Sequence, residues 1–481
     1  VIAYCAGLWF EVQSDYPYMA VGDASKVEVN YLKRTDYPVK LDRIELCFGD
    51  KEEVIEIGEM LETNGEVKRK SIEVSAEGVP VSQPYWLVNE KEKGLFVVKD
   101  QEKIGLPENP PVGEAIYHFE IEGQRLQIPT PIVHRYVDRA EGELYRPFLV
   151  TPKVTVNLSE KVFVFSSIAP REVDLRIKCF APNTQANISF EVPEGWTVTP
   201  PRLSYDFERA DEEKVATVKV IPPSYASEGS MVVLAEVDGK TTSFSQQVIE
   251  YDHIPTQMVF NPSETRLVRV DLNKKGEKIG YIMGSGDEIP RSLIQMGYQV
   301  DLLQDNDITP ENLKNYDAII AGIRAYNVNP RMPYHQDIIL DYVQKGGNYI
   351  VQYNTTRGLS TQQPGPFPLT ISRDRVTVEE AEASFLAPDH PLLNSPNKIT
   401  QQDFEGWIQE RGLYFPAQWD ERYTPILSWH DPGEEPKKGG LLVARHGEGH
   451  FIYTGISFFR ELPAGVPGAY RLFANMISIG K

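Results

Sequence analysis

Over the first 255 positions apolar residues recur at every second place in short runs. Lys26-Val27-Glu28-Val29-Asn30-Tyr31 and Glu172-Val173-Asp174-Leu175-Arg176-Ile177 alternate strictly, and Pro, Gly, Asn and Asp punctuate the intervals. A period of two buries one face of a strand and wets the other, so this texture predicts short strands packed as sandwiches. Helical periodicity is absent, the first few residues aside. A break near Pro147–Pro152 divides the region into a β-sandwich module over 1–150 and an immunoglobulin-like β-sandwich over 151–254. The second module is expected to hold strands near 153–157, 161–166, 172–179, 188–192, 215–221, 231–237 and 242–250. The turn Pro193-Glu194-Gly195 leads into Trp196-Thr197-Val198, an order common in immunoglobulin-like modules of secreted bacterial enzymes.

Segment 255–275, with Pro255 and Pro262, reads as a linker. From Lys278 the pattern switches to alternating strand and helix over 276–481. Buried-strand runs Ile279–Met283, Gln299–Leu303, Asp317–Ala321 and Asn348–Gln352 are separated by helices expected at Glu288–Met296, Pro310–Lys314 and 334–345. Strands at 425–429, 440–445 and 450–454 and a helix at 467–478 complete the domain. Alternation of this kind implies a parallel sheet covered on both faces, and right-handed crossovers make it doubly wound and flavodoxin-like. The stretch 355–420 breaks the rhythm with Pro, Gln, Arg and aromatic residues. It is an insertion at a strand's C-terminal end, where open α/β sheets collect ligands, so it is expected to roof any pocket.

A chain of 481 residues needs about three cores, in keeping with this division. The net charge of −20 repels phosphate backbones and anionic lipid, which argues against nucleic acid and leaves a carbohydrate or a protein as partner. No run of about 18 apolar residues offers a membrane span. Cys5, Cys47 and Cys179 are too few for a disulfide framework, although one pair could form.

Four constellations bear on chemistry. Gly284-Ser285-Gly286 opens a helix but lacks the third glycine of a dinucleotide fingerprint, and Asp287 and Glu288 in the first turn would repel an anion; a plain tight turn is expected. His446-Gly447-Glu448 imitates the base and acid of a triad, yet sits in a turn between strands. The eight histidines are scattered without metal-ligand spacing, and Asp389-His390 before Pro391 suits a cap. Polar residues at strand ends form the fourth set. Arg324, Tyr326 and Asn327 follow one strand; Tyr353, Asn354, Thr355 and Arg357 follow its neighbour. Arg373 and Arg375 lie in the insertion with Trp407 and Arg411, and Arg460 follows the last strand. Arginine forks and aromatic rings gathered at one sheet edge suit a sugar or a carboxylate. The competing reading is that these arginines satisfy buried loop carbonyls and pair with Asp374, Glu405 and Glu410.

The order "DAIIAG", helix, "GGNYIVQYN" resembles the class I glutamine amidotransferases, whose second strand ends in a cysteine elbow. Here that elbow falls on Tyr353-Asn354-Thr355 and the α/β region has no cysteine, so acyl chemistry has no thiolate; Thr355 has no evident base. Catalytic residues are therefore not expected in this chain. The strings "GIRAYN" (Gly322–Asn327), "GGNYIVQYNTTRG" (Gly346–Gly358), "PFPLTISRDRVT" (Pro366–Thr377) and "DFEGWIQERGLYF" (Asp403–Phe415) resemble the C-terminal region of large PIG-L (LmbE-like) deacetylases of Bacteroidetes-type bacteria. "QPYWL" (Gln83–Leu87) and "IGLPENPP" (Ile104–Pro111) extend the resemblance into the β region, and the α/β domain is more distantly similar to the ThuA fold. The resemblance implies a zinc-dependent N-acetylglucosamine-type deacetylase domain N-terminal to Val1, a periplasmic or extracellular location, and no zinc ligand within these residues. It implies an accessory role here, binding a glycan or docking the deacetylase domain. The alternatives are an independent sugar-processing enzyme and a purely structural or oligomerising scaffold.

Overall fold

The computed structural model describes residues 1–361 and 363–481. Its architecture is mostly β and multidomain, with several sheets followed by a mixed, mainly parallel sheet that carries helices.

The N-terminal module has one core fed by strands that meet through a single long strand, Gln124–Asp138. Its first half pairs with Gly113–Ile121, and its second half pairs with Leu8–Ser14 and Gly142–Pro147. The change of partner follows Pro129 and Pro131, whose missing N–H groups cannot serve a second ladder. Phe10 from one half meets Tyr117 from the other at 5.0 Å, closing the core.

The middle module packs a four-stranded sheet on a larger one. Trp196 is buried between them, edge-on to Phe165 at 5.1 Å, and its indole N–H donates to Ser227 Oγ at 3.1 Å. Burial of so large a ring is favourable only because that polar handle finds a partner. The expected linker is a correction. Glu264–Arg269 is a central strand, parallel to Val162–Phe165 and antiparallel to Ser227–Val237, and Ile254–Asn261 pairs with Ser245–Tyr251. Prolines 255 and 262 stand at the start of one strand and between two, positions where no ladder bond is lost. The three cysteines are free.

In the C-terminal domain the strand order is Gln299–Leu302, Lys278–Ile282, Ala318–Ala321, Asn348–Gln352, Gly449–Thr454, Leu441–His446 and Thr424–Pro425. The first five are parallel, Leu441–His446 runs antiparallel to them, and Thr424–Pro425 is antiparallel to Leu441–His446 in turn. Alternate residues feed two separate cores: Tyr281, Ile320, Ile350 and Ile452 pack with the helices Ile289–Gln295 and Pro467–Ser478, whereas Ile319, Tyr349, Val351 and Phe451 pack with Met332–Gln344. Burial on both faces explains why these strands read as continuous apolar runs.

The modules dock on one another. Arg266 of the central strand donates to the Ala464 carbonyl at 2.8 Å, and the Gln295 side chain bonds both the Val164 N–H at 2.7 Å and Glu160 at 2.8 Å. Lys93 of the N-terminal module pairs with Glu379 and Glu380 of the insertion at 2.8 and 2.9 Å.

Candidate functional site

The C-terminal edge of the parallel sheet has two parts. The first is the crevice where the chain reverses between Lys278–Ile282 and Ala318–Ala321, the position at which open α/β sheets usually bind ligands. It is closed. A Cβ on Gly284 would lie 1.9 Å from the Ile323 carbonyl oxygen, so the two loops touch through their backbones. The Ser285 N–H donates to that same oxygen at 2.9 Å. Asp287 turns inward instead of facing solvent on the helix's first turn: it accepts from the Tyr281 hydroxyl at 2.7 Å and from the N–H groups of Ile289 and Ile323 at 3.1 and 3.3 Å. Gln352 donates to the Tyr281 oxygen at 2.9 Å, and its own Oε1 stays buried without a partner. Burial raises the carboxyl pKa of Asp287, against the pull of these donors. Tyr281 is raised well above its ordinary range, again chiefly by burial.

The second part lies one strand further, around Tyr353. The insertion only partly acts as a roof. Its strand Gly412–Trp419 pairs with Leu369–Val376 and begins against the end of Gly449–Thr454, where the Leu413 N–H donates to Gly455 O at 2.9 Å. That placement lays Tyr414 parallel to Tyr353, with centroids 6.1 Å apart, and Phe459 tilts against Tyr353 at 5.2 Å. Glu410 is buried between two arginines: Arg375 donates to one oxygen at 2.5 Å and Arg460 to the other at 3.2 Å. The pKa of Tyr353 is raised by burial, while the positive charges of Arg324 and Arg460 oppose the rise. Arg324 has a left-handed backbone, φ 57°, and its N–H donates to Tyr353 O at 2.8 Å. Its Nε is buried without a partner.

The remaining candidates are occupied by scaffolding. Tyr326 is fully buried, its hydroxyl against that of Tyr349 at 3.0 Å. Asn327 donates to the carbonyls of Thr355 and Arg357, both at 3.0 Å, and accepts from Thr355 N–H. Asn354 accepts from Tyr326 N–H and donates to Gln352 O; the Thr355 hydroxyl donates to Arg357 O. Trp407 is buried and donates to Asp403 O at 2.8 Å. Arg411 donates to the carbonyls of Ala381 and Phe404, lies 5.2 Å from the Trp407 ring, and is lowered to about 10 by burial. For these residues the reading as carbonyl partners and loop supports is the one the structure displays. Arg357 and Arg373 are exposed.

None of Tyr353, Asn354 and Thr355 has the positive φ of a nucleophile elbow; Arg324 has it instead. His446 and Glu448 lie at the opposite end of the sheet from Tyr353, because Asn348, the first residue of its strand, pairs with His450. His390 Nδ1 accepts from Leu392 N–H at 3.2 Å and caps Pro391–Asn394. Among the described residues no group of three or more His, Cys, Asp or Glu is placed to hold a metal ion.

Sequence reasoning missed Glu461. It is fully buried, accepts from the Ile408 N–H at 3.0 Å, and leaves Oε1 without a partner. Burial raises its pKa to about 8 although Arg411 and Arg460 oppose the shift. The one available signal was a carboxylate set between Phe458-Phe459 and Leu462.

One family model matches the chain, the NPCBM-associated, NEW3 domain of alpha-galactosidase, over residues 172–239. That span lies within the middle module. No curated protein matches the sequence significantly. Similar solved structures include native Escherichia coli alpha-2-macroglobulin, at 7% identity and TM-score 0.19, with 58% of this chain and 18% of that chain covered. Salmonella alpha-2-macroglobulin reacted with methylamine gives 7% and 0.19, covering 64% of this chain and 21% of that one. A protein of unknown function from Porphyromonas gingivalis W83 gives 6% and 0.14, covering 55% and 99%. Likeness at these TM-scores carries no functional argument.

Proposed function

We propose that this chain is the non-catalytic, glycan-binding accessory part of a larger secreted carbohydrate-active protein. In this reading the middle module is an immunoglobulin-like spacer. The C-terminal domain is a flavodoxin-like, amidotransferase-like fold that has no attacking thiol and has turned its sheet edge to binding. The observation that supports it best is the shelf at Tyr353, where the half-buried rings of Tyr414 and Phe459 gather beside Arg375 and Arg460 and the Arg324 N–H holds the Tyr353 carbonyl. Rings stack on the C–H faces of pyranoses while guanidinium groups bond their oxygens. The match to a domain associated with alpha-galactosidase agrees with a carbohydrate context. The quoted strings of the C-terminal domain point to a PIG-L-type deacetylase as the parent, with a periplasmic or extracellular location.

Calorimetric titration with neutral and charged oligosaccharides tests binding directly. Tyr414→Ala is expected to weaken binding by about tenfold, the size of one lost stacking contact, with the thermal melt little changed. Release of acetate from N-acetylated sugars by this chain alone would overturn the assignment of catalysis to another domain.

A further inference from the structure

Tyr414 reaches the shelf through a break in a strand pair. Where Leu369–Val376 meets Gly412–Trp419, Ile371 faces Pro416, Asp374 faces Phe415 and Arg375 faces Leu413. Ser372 and Arg373 on one strand and Tyr414 on the other therefore have no cross-strand partner. Tyr414 carries φ 51°, a left-handed conformation that glycine adopts readily and a bulky side chain does not. Both its neighbours are fixed. The Leu413 N–H donates to Gly455 O at 2.9 Å, and the Phe415 ring is fully buried, 6.4 Å from that of Trp429. The Ser372 hydroxyl closes the break: it donates to Phe415 O at 2.8 Å and accepts from the Asp374 N–H at 2.9 Å. Asp374 and Phe415 are the pair that stands between the extruded positions, so one hydroxyl spans the break from both strands.

A bulge re-aims a side chain, and a strained backbone persists only where its surroundings over-determine it. Here the strained residue is a tyrosine whose ring lies parallel to that of Tyr353, with centroids 6.1 Å and planes 10° apart. We propose that Ser372 is a positioning residue: by bonding Phe415 O and the Asp374 N–H it holds Tyr414 left-handed, and so sets the Tyr414 ring against Tyr353. Resting on the glycan-binding reading above, this makes Ser372 a determinant of sugar affinity although its own hydroxyl is already committed on both sides. A serine that merely satisfied a spare carbonyl would stabilise the strand pair and leave the ring geometry alone. The two roles differ in whether every effect of Ser372 passes through Tyr414.

Two measurements on the full chain test it. Ruthenium-sensitised photo-oxidation with persulfate couples neighbouring tyrosine rings, and peptide mass spectrometry quantifies the cross-link between Tyr353 and Tyr414. Ser372→Ala is expected to lower its yield severalfold. The same variant is expected to weaken chitotetraose binding, read by calorimetry, by about fivefold, the size of one lost hydrogen bond. Ser372→Thr keeps the hydroxyl and is expected to restore both. In a Tyr414→Ala background Ser372→Ala is expected to change the affinity no further, because the two residues act in series. Should Ser372→Ala fail to fold, Ser372→Cys, a weaker donor of similar size, makes the same comparison. An unchanged cross-link yield overturns the positioning role, whatever the sugar result. A further loss of affinity in the Tyr414→Ala background also overturns it, since Ser372 would then act by a separate route. If the wild type binds none of chitotetraose, cellotetraose and a galactan tetrasaccharide at millimolar concentration, the glycan reading falls, and the cross-link yield alone decides the role of Ser372.

Discussion

The crevice at Gly284 and the shelf at Tyr353 sit side by side on one sheet edge, and both are rich in polar residues. They differ in what those residues are already doing. In the crevice the loops touch backbone to backbone, and Tyr281, Asp287 and Gln352 bond chiefly one another. At the shelf Tyr414 and Phe459 are only half-buried over the buried Tyr353 ring, and Arg324 Nε is buried without a partner. Polarity at a strand end is therefore a poor guide to binding; partly exposed rings beside exposed guanidinium groups are a better one. The usual ligand position of the fold is closed by backbone contact, and at the neighbouring strand's end Tyr353 and Asn354 are buried beneath the half-buried rings of Tyr414 and Phe459.

The largest expected effect tests whether the crevice is truly closed. Gly284→Ala places a methyl at 1.9 Å from the Ile323 oxygen, and only backbone movement relieves that. It should cost more than about 4 kcal/mol and unfold the C-terminal domain, read as an early transition in urea followed by circular dichroism. Normal stability would mean the crevice opens readily, and the contrast with the shelf would fail. Asp287→Ala is next. It strips the acceptor from one hydroxyl and two N–H groups in a buried site, for an expected loss of about 2–4 kcal/mol. Asp287→Asn should recover part of that.

A third test follows from Glu461, which shares the short helix Phe458–Glu461 with the shelf residues Phe459 and Arg460 but points into the core. Its folded pKa, about 8, stands above the ordinary carboxyl value of 4.5, so the native state binds the proton more tightly. This contribution to stability is complete below pH 4.5 and is lost as pH rises through about 8. Relative to Glu461→Gln, the wild type should lose stability between pH 5 and pH 8, measured as urea midpoints. A constant difference between the two proteins across that range would show that Glu461 does not titrate there.

Legibility varied with how local each signal was. Asn348–Gln352 and the helix Pro467–Ser478 stand where the pattern placed them, because one is an apolar run buried on both faces and the other begins with proline at its first turn. The supposed linker failed for a physical reason. Prolines 255 and 262 suggested a break, yet one opens a strand and the other stands between two, leaving Glu264–Arg269 free to pair on both sides. At the site, composition singled out Arg324, Tyr353, Arg375 and Arg460, which the fold brings together. Composition could not separate these from Arg411, which is chemically identical and lies one residue beyond Glu410. Its difference is that Ala381 O and Phe404 O reach it from far along the chain.

The smallest expected effect on stability is the sharpest comparison. Arg411 is buried with two carbonyls and a tryptophan face depending on it, so Arg411→Met should cost about 2–4 kcal/mol through stranded acceptors and lost packing. Arg324 holds nothing together with its side-chain Nε and strains its own backbone. Arg324→Gly removes about 1 kcal/mol of left-handed strain and adds about 0.5–1 kcal/mol of chain entropy to the unfolded state. The two terms nearly cancel, so the urea midpoint should correspond to a change within about 0.5 kcal/mol. A loss of stability comparable to that of Arg411→Met would instead make Arg324 one more scaffold arginine, and the shelf would differ from the crevice only in being wetter.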